Sequence, residues 1–372
     1  VIMYENFSLL EYGKTAFVEI INNIRKCRKN IYIKIFIWRD DVIGNKIAKE
    51  ILEAANRGIK ITIVKDRYGL LLEEGEESRK SLFHKNKNLI ENIELFCLKT
   101  FYHRGIKVDK SQNELYEKII AHPNITIFKD KRIYDHTKLY IFDDETIIMG
   151  GINIEDKENG MDSIGRIYHD LMLKIVDKNL VMQLQNKLNS SIVTQGTPFV
   201  INLKRENDSI WEIEKTYIDL IKHAKKEVTI VMPYFAPIKS ICLPLINVAK
   251  NGVNVKIIIP ASANYTNDLN RKTIRYLMKK TNNKIDVYLC SMMVHTKLIL
   301  SDNTFTFGSG NINKQSFKIL NELNIKLDLY NDPFSLSIKD VIKNLIEKSE
   351  KVKDYKEIMY SKGRTLIEDI KY

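Results

Sequence analysis

Two stretches of the chain carry the same pattern of residues that could do phosphate chemistry. Each has a histidine, a lysine two positions later, an aspartate five positions after the lysine, and an asparagine that ends a Gly-x-x-Asn sequence. The members are His136, Lys138, Asp143 and Asn153 in the first stretch, and His295, Lys297, Asp302 and Asn311 in the second. The chain has seven histidines, and chance would give them only ~0.14 matches to the His, Lys and Asp part of the pattern. Two matches therefore indicate a functional motif.

The two motifs supply what is needed to cleave a phosphodiester without a metal ion. Such a reaction requires a nucleophile, an acid for the leaving oxygen, positive charge beside the phosphate and donors that hold its oxygens. Two imidazoles can act as nucleophile and acid near neutral pH, two lysines provide charge, and two asparagine amides provide neutral donors. A histidine and a lysine two residues apart are an improbable metal site, because lysine is not a usual ligand. We therefore expect neither a metal nor a cofactor.

The elements that must position the motifs are repeated as well. Residues 31–66 and residues 228–260 each predict a strand, a helix and a second strand. That order implies parallel pairing with a right-handed crossover. Alternating apolar residues after each motif lysine predict that each motif begins a strand, with its histidine and lysine on one face. The first half has about 35 extra residues, at about 70–124, which we interpret as either a solvated loop with a helix or a functional flap.

Further short sequences around the motifs carry a resemblance to a known family. They are Trp38–Asp41, Gly150–Asn153, His169–Leu171, Tyr234–Pro237, Gly308–Asn311 and Ser316-Phe317. With them the chain resembles the phospholipase D superfamily, and within it the bacterial cardiolipin synthases, from about Gly13 to Leu327. It departs from the family pattern at Gly151, where many members have serine or threonine. The departure removes no residue of the His-Lys-Asp motifs and bears on substrate choice.

The resemblance implies a fold and a domain organisation. We expect an α/β protein with two pseudo-twofold-related phospholipase D-like domains, each a mixed β-sheet flanked by helices, with the active site between them. The N-terminal domain is expected at residues 1–200, with the insertion at about 70–124, and the C-terminal domain at residues 201–372. Apolar residues at helical spacing between Val341 and Ile346 predict that residues 339–372 form a C-terminal helix packed on the core.

The resemblance also implies catalytic roles. His136 would form a covalent phosphohistidine, and His295 would protonate the leaving alcohol and then activate the incoming alcohol or water. The residues implied to bind the substrate phosphate are Lys138, Lys297, Asn153 and Asn311. Asp170, which is 34 residues after His136, and Glu322, which is 27 residues after His295, would orient the histidines and fix their tautomers. The residues implied to be structural are Asp143, Asp302 and Ser309.

Charge and composition bear on partners and location. The net charge of +12 favours an anionic partner. The four cysteines form no C-x-x-C pair, which favours free thiols in a reducing compartment. The sequence contains no apolar run of the ~18 residues typical of a membrane-spanning helix. We expect a peripheral protein on the cytoplasmic side of a membrane, although the chain starts at Val1 and an N-terminal anchor could precede it.

The leading functional hypothesis is phosphatidyl transfer that makes cardiolipin and glycerol from two phosphatidylglycerol molecules, at an anionic membrane surface. One alternative is a phospholipase D hydrolase or another phosphatidyltransferase. A second is a nuclease on the same scaffold, whose basic charge would serve nucleic acid. An inactive binding module is disfavoured because both motifs are intact. Residues of the insertion could enter a membrane interface: Leu70, Leu71, Leu72, Phe83, Phe96, Phe101 and Tyr102, with Arg104 and Lys107 beside them.

Overall fold

The chain forms two compact units. The computed structural model describes residues 4–66, 69–70, 72–73, 81–83, 89–90, 93, 96, 113–130, 134–189 and 196–371. The N-terminal unit comprises Leu10–Gly165 and Leu171–Asn186, and the C-terminal unit comprises Val1–Leu9, Arg166–Asp170 and Lys187–Tyr372. The short segment Arg166–Asp170 therefore belongs to the C-terminal unit, although the residues on both sides of it in the chain belong to the N-terminal unit.

The described elements alternate between strands and helices along most of the chain. The strands are β1 (Phe7–Glu11), β2 (Asn30–Ile35), β3 (Lys60–Asp66), β4 (Ile125–Asp130), β5 (Leu139–Phe142), β6 (Thr146–Gly150), β7 (Tyr168–His169), β8 (Leu171–Val176), β9 (Phe199–Leu203), β10 (Ile210–Trp211), β11 (Glu227–Val231), β12 (Asn254–Pro260), β13 (Asp286–Cys290), β14 (Met293–Val294), β15 (Lys297–Ser301), β16 (Thr304–Gly308), β17 (Glu322–Asp328) and β18 (Ser349–Val352). The α-helices are α1 (Tyr12–Lys26), α2 (Val42–Asn56), α3 (Glu114–Ala121), α4 (Lys178–Asn189), α5 (Ile213–His223), α6 (Lys239–Lys250), α7 (Asn267–Lys280), α8 (Lys314–Lys318), α9 (Pro333–Glu347) and α10 (Lys362–Lys371).

The N-terminal unit is built on a seven-stranded mixed sheet in the order β1-β8-β6-β5-β2-β3-β4. Strands β2, β3 and β4 are parallel, and β5, β6 and β8 continue the sheet by antiparallel pairing. In β2, the alternating residues Ile31, Ile33 and Ile35 are buried in the core, as a strand with period-two apolar residues requires. The predicted strand, helix and strand at residues 31–66 are confirmed.

The C-terminal unit repeats this arrangement in a nine-stranded sheet of order β10-β9-β17-β16-β15-β11-β12-β13-β18. Strands β11, β12 and β13 are parallel, and β15, β16 and β17 follow β11 in antiparallel pairing. The six strands β17-β16-β15-β11-β12-β13 of this sheet therefore correspond, in order and direction of pairing, to β8-β6-β5-β2-β3-β4 of the first sheet. The expected fold of two similar mixed sheets flanked by helices is confirmed, and each motif lysine lies at or next to the start of the equivalent strand, β5 or β15.

The expectation of one helix over residues 339–372 is wrong beyond Glu347. Helix α9 ends there, and the chain continues as β18, which pairs antiparallel with β13. A 3-10 turn at Tyr355–Glu357 and helix α10 follow. The edge of β13 offers backbone donors and acceptors that an added strand satisfies, and this tertiary contact overrides the helical spacing of the sequence.

The described part of the insertion contributes to the core of the N-terminal unit. Phe83 is buried, and its ring packs edge-on against Trp38 with 5.4 Å between ring centroids. Glu73 is fully buried and forms an ion pair of 2.6 Å with Lys65, whereas Phe96 is 72% exposed. Leu71, Phe101, Tyr102, Arg104 and Lys107 lie outside the described residues. No helix within the described ranges is long and apolar enough to cross a membrane.

Candidate active site

A two-stranded parallel ladder positions the histidine of the second motif. Met293 pairs with Tyr168, and Val294 pairs with His169. The backbone N–H of His295 then donates to the carbonyl oxygen of His169 at 2.7 Å. Asp170 directly follows β7, and His295 directly follows β14. Because the two strands are parallel and in fixed register, both residues lie at the same end of the ladder. The segment Arg166–Asp170 thus acts as part of the C-terminal unit.

The imidazole of His295 is held by the carboxylate of Asp170. His295 Nδ1 lies 2.8 Å from Asp170 Oδ2, and the exposed fractions are 7% for His295 and 0% for Asp170. An ionised carboxylate only accepts hydrogen bonds, so Nδ1 carries the hydrogen and Nε2 is left for proton exchange or attack. Asp170 follows His136 in the chain, yet it is His295 that it contacts.

Lys297 completes what we call the C-terminal half-site, which consists of Asp170, His295 and Lys297. Its ammonium donates to the carbonyl oxygen of His295 and lies 3.9 Å from Asp170 Oδ2. Lys297 is fully buried, and a buried charge is tolerated only when it is paired. An ammonium has three N–H groups and can bond to more than one oxygen acceptor.

Two tyrosines that were not predicted as site residues lie beside His295. The ring of Tyr234 is 5.9 Å from that of His295, and the ring of Tyr168 is 6.5 Å away, both edge-on. The hydroxyl of Tyr234 donates to Asn264 Oδ1 at 2.8 Å, which fixes the ring. Tyr168 directly precedes the family-like sequence His169–Leu171, and Tyr234 is the first residue of the family-like sequence Tyr234–Pro237. These positions were the only signal in the sequence that the two tyrosines belong to the site.

The Gly-Ser-Gly-Asn sequence of the second motif is tied to Glu322 by hydroxyl groups. Ser309 Oγ donates to Glu322 Oε2, and Ser316 Oγ donates to Glu322 Oε1 at 2.7 Å. Ser316 Oγ also accepts from the backbone N–H of Asn311 at 3.1 Å. Glu322 therefore organises the loop that carries Asn311. No role of Ser316 was predicted from the sequence, in which its place beside Phe317 in a family-like dipeptide was the only signal.

The side chain of Asn311 has a free polar atom in a buried position. Asn311 is 4% exposed, and its Oδ1 has no hydrogen-bond partner among the described residues. Buried polar groups are nearly always bonded, so an atom at this position can accept a hydrogen bond from a water molecule or a ligand. A side-chain amide can turn to present either N–H donors or the oxygen, and the position therefore suits an oxygen-rich group such as phosphate.

The N-terminal half-site, which consists of His136, Lys138 and Asn153, has the same local geometry. The ammonium of Lys138 donates to the carbonyl oxygen of His136 at 2.7 Å, as Lys297 does to His295. Both side chains contact Phe36: the His136 ring lies 4.9 Å from the Phe36 ring, and Lys138 Nζ lies 5.4 Å from its centroid. Asn153 Oδ1 accepts from the backbone N–H of Ile37 at 3.3 Å.

A buried charge network fixes the turn that precedes His136. Asp135 pairs with Lys34 at 2.9 Å and accepts from the backbone N–H of Thr137. Burial alone would raise the pKa of Asp135, but the attraction and hydrogen bond of Lys34 dominate and lower it. Asp66 accepts from the backbone N–H of Asp135 at 2.8 Å, and burial raises the pKa of Asp66 to about 7.

The glycine that opens each Gly-x-x-Asn sequence is required by close packing. A Cβ atom on Gly150 would lie 2.3 Å from the carbonyl oxygen of Leu171, and one on Gly308 would lie 2.2 Å from that of Leu323. No side chain fits at such distances. The asparagine-bearing loops can therefore approach the neighbouring strands, β8 and β17, only with glycine at these two positions.

The motif aspartates lie at the far ends of strands β5 and β15 and bind backbone. Asp143 accepts from the backbone N–H groups of residues 28–30, and Asp302 from those of residues 225–227, at 2.7–3.3 Å. Burial would raise the pKa of each carboxyl, but hydrogen bonds lower it: those from the Cys27 thiol and the backbone for Asp143, and those from the backbone for Asp302. Each aspartate ties the turn after its strand to the start of strand β2 or β11.

The structure thus gathers the predicted residues into three groups. Within the C-terminal unit, Asp170 and His295 meet with Lys297, and Ser309 meets Glu322 beside the Asn311 loop. Within the N-terminal unit, the third group joins His136 and Lys138 through Phe36, and Asn153 binds the backbone at Ile37. All the side chains named here except His136 are buried, which strengthens their electrostatic interactions.

Comparison with known proteins identifies relatives along most of the chain. The profile of the family described as "Cardiolipin synthase, PLD-like domain" matches residues 20–192 and 217–346. The chain is 22% identical over 362 residues to the minor cardiolipin synthase ClsB of Bacillus subtilis, covering 93% of this chain and 82% of the relative. It is 24% identical over 332 residues to the cardiolipin synthase of Oceanobacillus iheyensis, where it covers 84% of this chain and 63% of the relative. The chain thus spans less than two thirds of that second protein.

Solved structures share the fold. The phosphatidylserine synthase of Haemophilus influenzae Rd KW20 superposes with a TM-score of 0.71 at 15% identity, covering 98% of this chain and 92% of that one. The polyphosphate kinase of Porphyromonas gingivalis gives a TM-score of 0.56 at 11% identity, covering 92% of this chain and 50% of that one. At such identities the likeness concerns the fold alone.

Proposed function

The chain belongs to the phospholipase D-like domain family of cardiolipin synthases, and from that premise we propose that it transfers phosphatidyl groups between alcohols through a phosphohistidine. The observation that carries the proposal is the buried pair of His295 and Asp170, joined at 2.8 Å. A histidine whose Nδ1 is bound by a carboxylate has the tautomer and the stabilised cation that a general acid and base needs.

The reaction proceeds in two displacements at phosphorus. In the first, a ring nitrogen of His136 attacks, an N–P bond forms and the bond to the leaving alcohol breaks, while His295 gives its Nε2 proton to the leaving oxygen. In the second, His295 takes the proton of an incoming hydroxyl, the new oxygen attacks, and the N–P bond breaks. The second step is the first in reverse, so one acid and base serves both.

Positive charge and neutral donors hold the phosphate oxygens through both steps. We assign this role to Lys138, Lys297, Asn153 and Asn311. Lys138 and Lys297 are each held through the carbonyl oxygen of their own motif histidine, so the charges are placed before the substrate binds. Preorganised charge of this kind lowers the barrier without reorganisation during the reaction. Because these residues provide the charge, the proposal requires no metal ion.

The proposed reaction is the conversion of two phosphatidylglycerol molecules to cardiolipin and glycerol, as the names of the curated relatives suggest. The acceptor in this reaction is the free hydroxyl of a second phosphatidylglycerol. We place the protein on the cytoplasmic face of an anionic membrane. The net charge of +12 supports that assignment, and so do the free buried cysteines Cys27, Cys242 and Cys290, which fit a reducing compartment.

The test is a product assay with phosphatidylglycerol and with single-stranded oligonucleotides as substrates. The protein is incubated with phosphatidylglycerol in detergent micelles, and cardiolipin, phosphatidic acid and glycerol are measured by mass spectrometry. We expect cardiolipin and glycerol in equal amounts, and added glycerol should drive the reverse reaction. Phosphatidic acid as the main product would replace the transferase with a hydrolase. Cleavage of single-stranded oligonucleotides without any lipid product would overturn the proposal in favour of a nuclease.

A further inference from the structure

The last described helix of the C-terminal unit packs through polar side chains and exposes apolar ones. On α10, Thr365 is 4% exposed, and Glu368 accepts from the backbone N–H of Leu269 at the start of α7 at 2.6 Å. In contrast, Leu366 is 64% exposed and Ile367 is 54% exposed. A surface helix normally buries its apolar residues, so the exposure of Leu366 and Ile367 is unusual.

The segment that leads into α10 is fixed on α7 by hydrogen bonds. Arg275 donates to the carbonyl oxygens of Tyr355 at 3.0 Å and Ile358 at 2.7 Å. The backbone N–H of Ser361 donates to Asp268 Oδ1 at 2.7 Å. Ile358 is buried in the core, whereas the next residue, Met359, is 72% exposed. The exposure of this methionine is therefore set by an anchored backbone.

A basic groove lies beside the chain segment that carries Met359. It has a volume of about 370 Å³, and none of its described lining residues is acidic. Its charged lining residues are Lys239, Lys272, Arg275 and Lys279. Lys272, Arg275 and Lys279 follow one another at intervals of three and four on α7, so they lie on one face of that helix. Tyr360 also lines the groove and directly follows Met359, which makes the two features neighbours.

We propose that this region is where the protein binds the surface of an anionic phospholipid bilayer. The docking surface consists of Met359, Leu366 and Ile367, which enter the interface, and of Lys239, Lys272 and Lys279, which bind lipid phosphates beside the anchoring Arg275. Apolar side chains beside a cluster of cations are the pattern of interfacial membrane binding. The groove is lined by basic side chains and by no described acidic one, so it favours an anionic partner. The exposed aliphatic side chains favour a partner with an apolar interior, as a bilayer has.

The inference deepens the proposed function, on which it rests for the identity of the lipid, because it names the surface on which the enzyme meets its substrate. It assigns membrane contact to the C-terminal unit rather than to the insertion at about 70–124. In the insertion, Phe83 is buried in the core, whereas Phe96 is 72% exposed.

The test is co-sedimentation of the full chain with vesicles of phosphatidylcholine containing phosphatidylglycerol. The wild-type protein should bind, and binding should weaken as salt is added and be lost on pure phosphatidylcholine. Two neutralised lysines at about 1 kcal/mol each should lower the partition coefficient of Lys272→Gln/Lys279→Gln roughly 30-fold. The apolar variant Leu366→Ser/Ile367→Ser should lower it about tenfold. All these side chains are partly or fully exposed, and circular dichroism checks the fold.

Matched controls come from helix α9 of the same unit. Lys339→Gln/Lys343→Gln removes the same charge, and Leu336→Ser removes an apolar side chain that is 46% exposed; each should bind as the wild type does. Equal binding by docking-surface variants and controls, or no binding by the wild type, would overturn the proposal. The proposal would also be overturned if Leu366→Ser/Ile367→Ser turned a dimer into a monomer and left vesicle binding unchanged. The surface would then be an interface between two copies of the chain. Lipid transfer by the wild type in detergent is measured separately; its absence would defeat the proposed function and leave the vesicle result to decide the docking surface.

Discussion

Replacing Asp170 by asparagine should separate the role of the His295 pair from that of the fold. The substitution keeps the size of the side chain and removes its charge at a site that is 0% exposed. The neutral amide can donate to Nδ1 as well as accept from it, so it no longer selects the tautomer with the hydrogen on Nδ1. It also no longer stabilises the cation that His295 becomes during each proton transfer.

The expected loss follows from the 2.8 Å separation of His295 Nδ1 and Asp170 Oδ2. With an effective dielectric constant of about 20, Coulomb attraction at that distance is roughly 6 kcal/mol, which is an upper limit because desolvation opposes it. If about 3 to 5 kcal/mol of this acts in the transition state, kcat falls roughly 10²- to 10⁴-fold. KM should change little, because the carboxylate acts through His295 rather than on the substrate.

The assay is steady-state transfer with phosphatidylglycerol in detergent, with the fold checked by thermal unfolding. The matched control is Asp332→Asn, a buried aspartate of the same unit that accepts from Ser335 at the start of α9. Asparagine is also a good residue at a helix start, so the control should keep wild-type kcat. A folded Asp170→Asn protein with kcat within about threefold of the wild type would refute the orienting role, since that factor corresponds to less than 1 kcal/mol.

Three further predictions concern packing, pH and metal. Gly308→Ala should lower the free energy of unfolding by more than about 3 kcal/mol, because its Cβ would lie 2.2 Å from a carbonyl oxygen. The measurement is a urea titration. The control Gly363→Ala, in exposed α10, should leave that free energy unchanged or raise it. Hydrogen bonds lower the folded-state pKa of Asp302, so the stability it contributes is present above its unfolded pKa of about 4 and is lost as pH falls through the folded value. The Tm difference between the wild type and Asp302→Asn should therefore be present at neutral pH and narrow under acid conditions; a constant difference would contradict this. EDTA should leave transfer unchanged, and a loss restored by a divalent cation would contradict the assignment of charge to lysine.

Local sequence patterns predicted the repeated parts of the fold well. The alternation of apolar residues such as Ile31, Ile33 and Ile35 was enough to predict the strand, helix and strand of the first half. The alternating apolar residues after each motif lysine likewise predicted strands β5 and β15. These features depend on residues close in the chain, where periodicity reflects burial directly.

Long-range pairing set the limits of prediction. The contact of Asp170 with His295 depends on the two-residue ladder between β7 and β14, which is too short to have a periodic signal. The sequence left the insertion as either a solvated loop with a helix or a functional flap, whereas Glu73 within it is buried against Lys65. Burial raises the pKa of Glu73 and lowers that of Lys65, while their mutual attraction opposes both shifts. Strand β18 was missed for a similar reason, since only the edge of β13 decides its conformation.

The central claim is that the reaction passes through a covalent bond to His136, and trapping that bond tests it most directly. The protein is mixed with a short-chain phosphatidyl substrate carrying an activated leaving group, quenched in alkali and mapped by mass spectrometry. We predict a phosphatidyl adduct on His136 in the wild type. The adduct should accumulate in His295→Ala, because the leaving group needs no proton while the acceptor lacks its base. It should be absent from His136→Ala. An adduct on His295, or turnover by His136→Ala, would contradict the account.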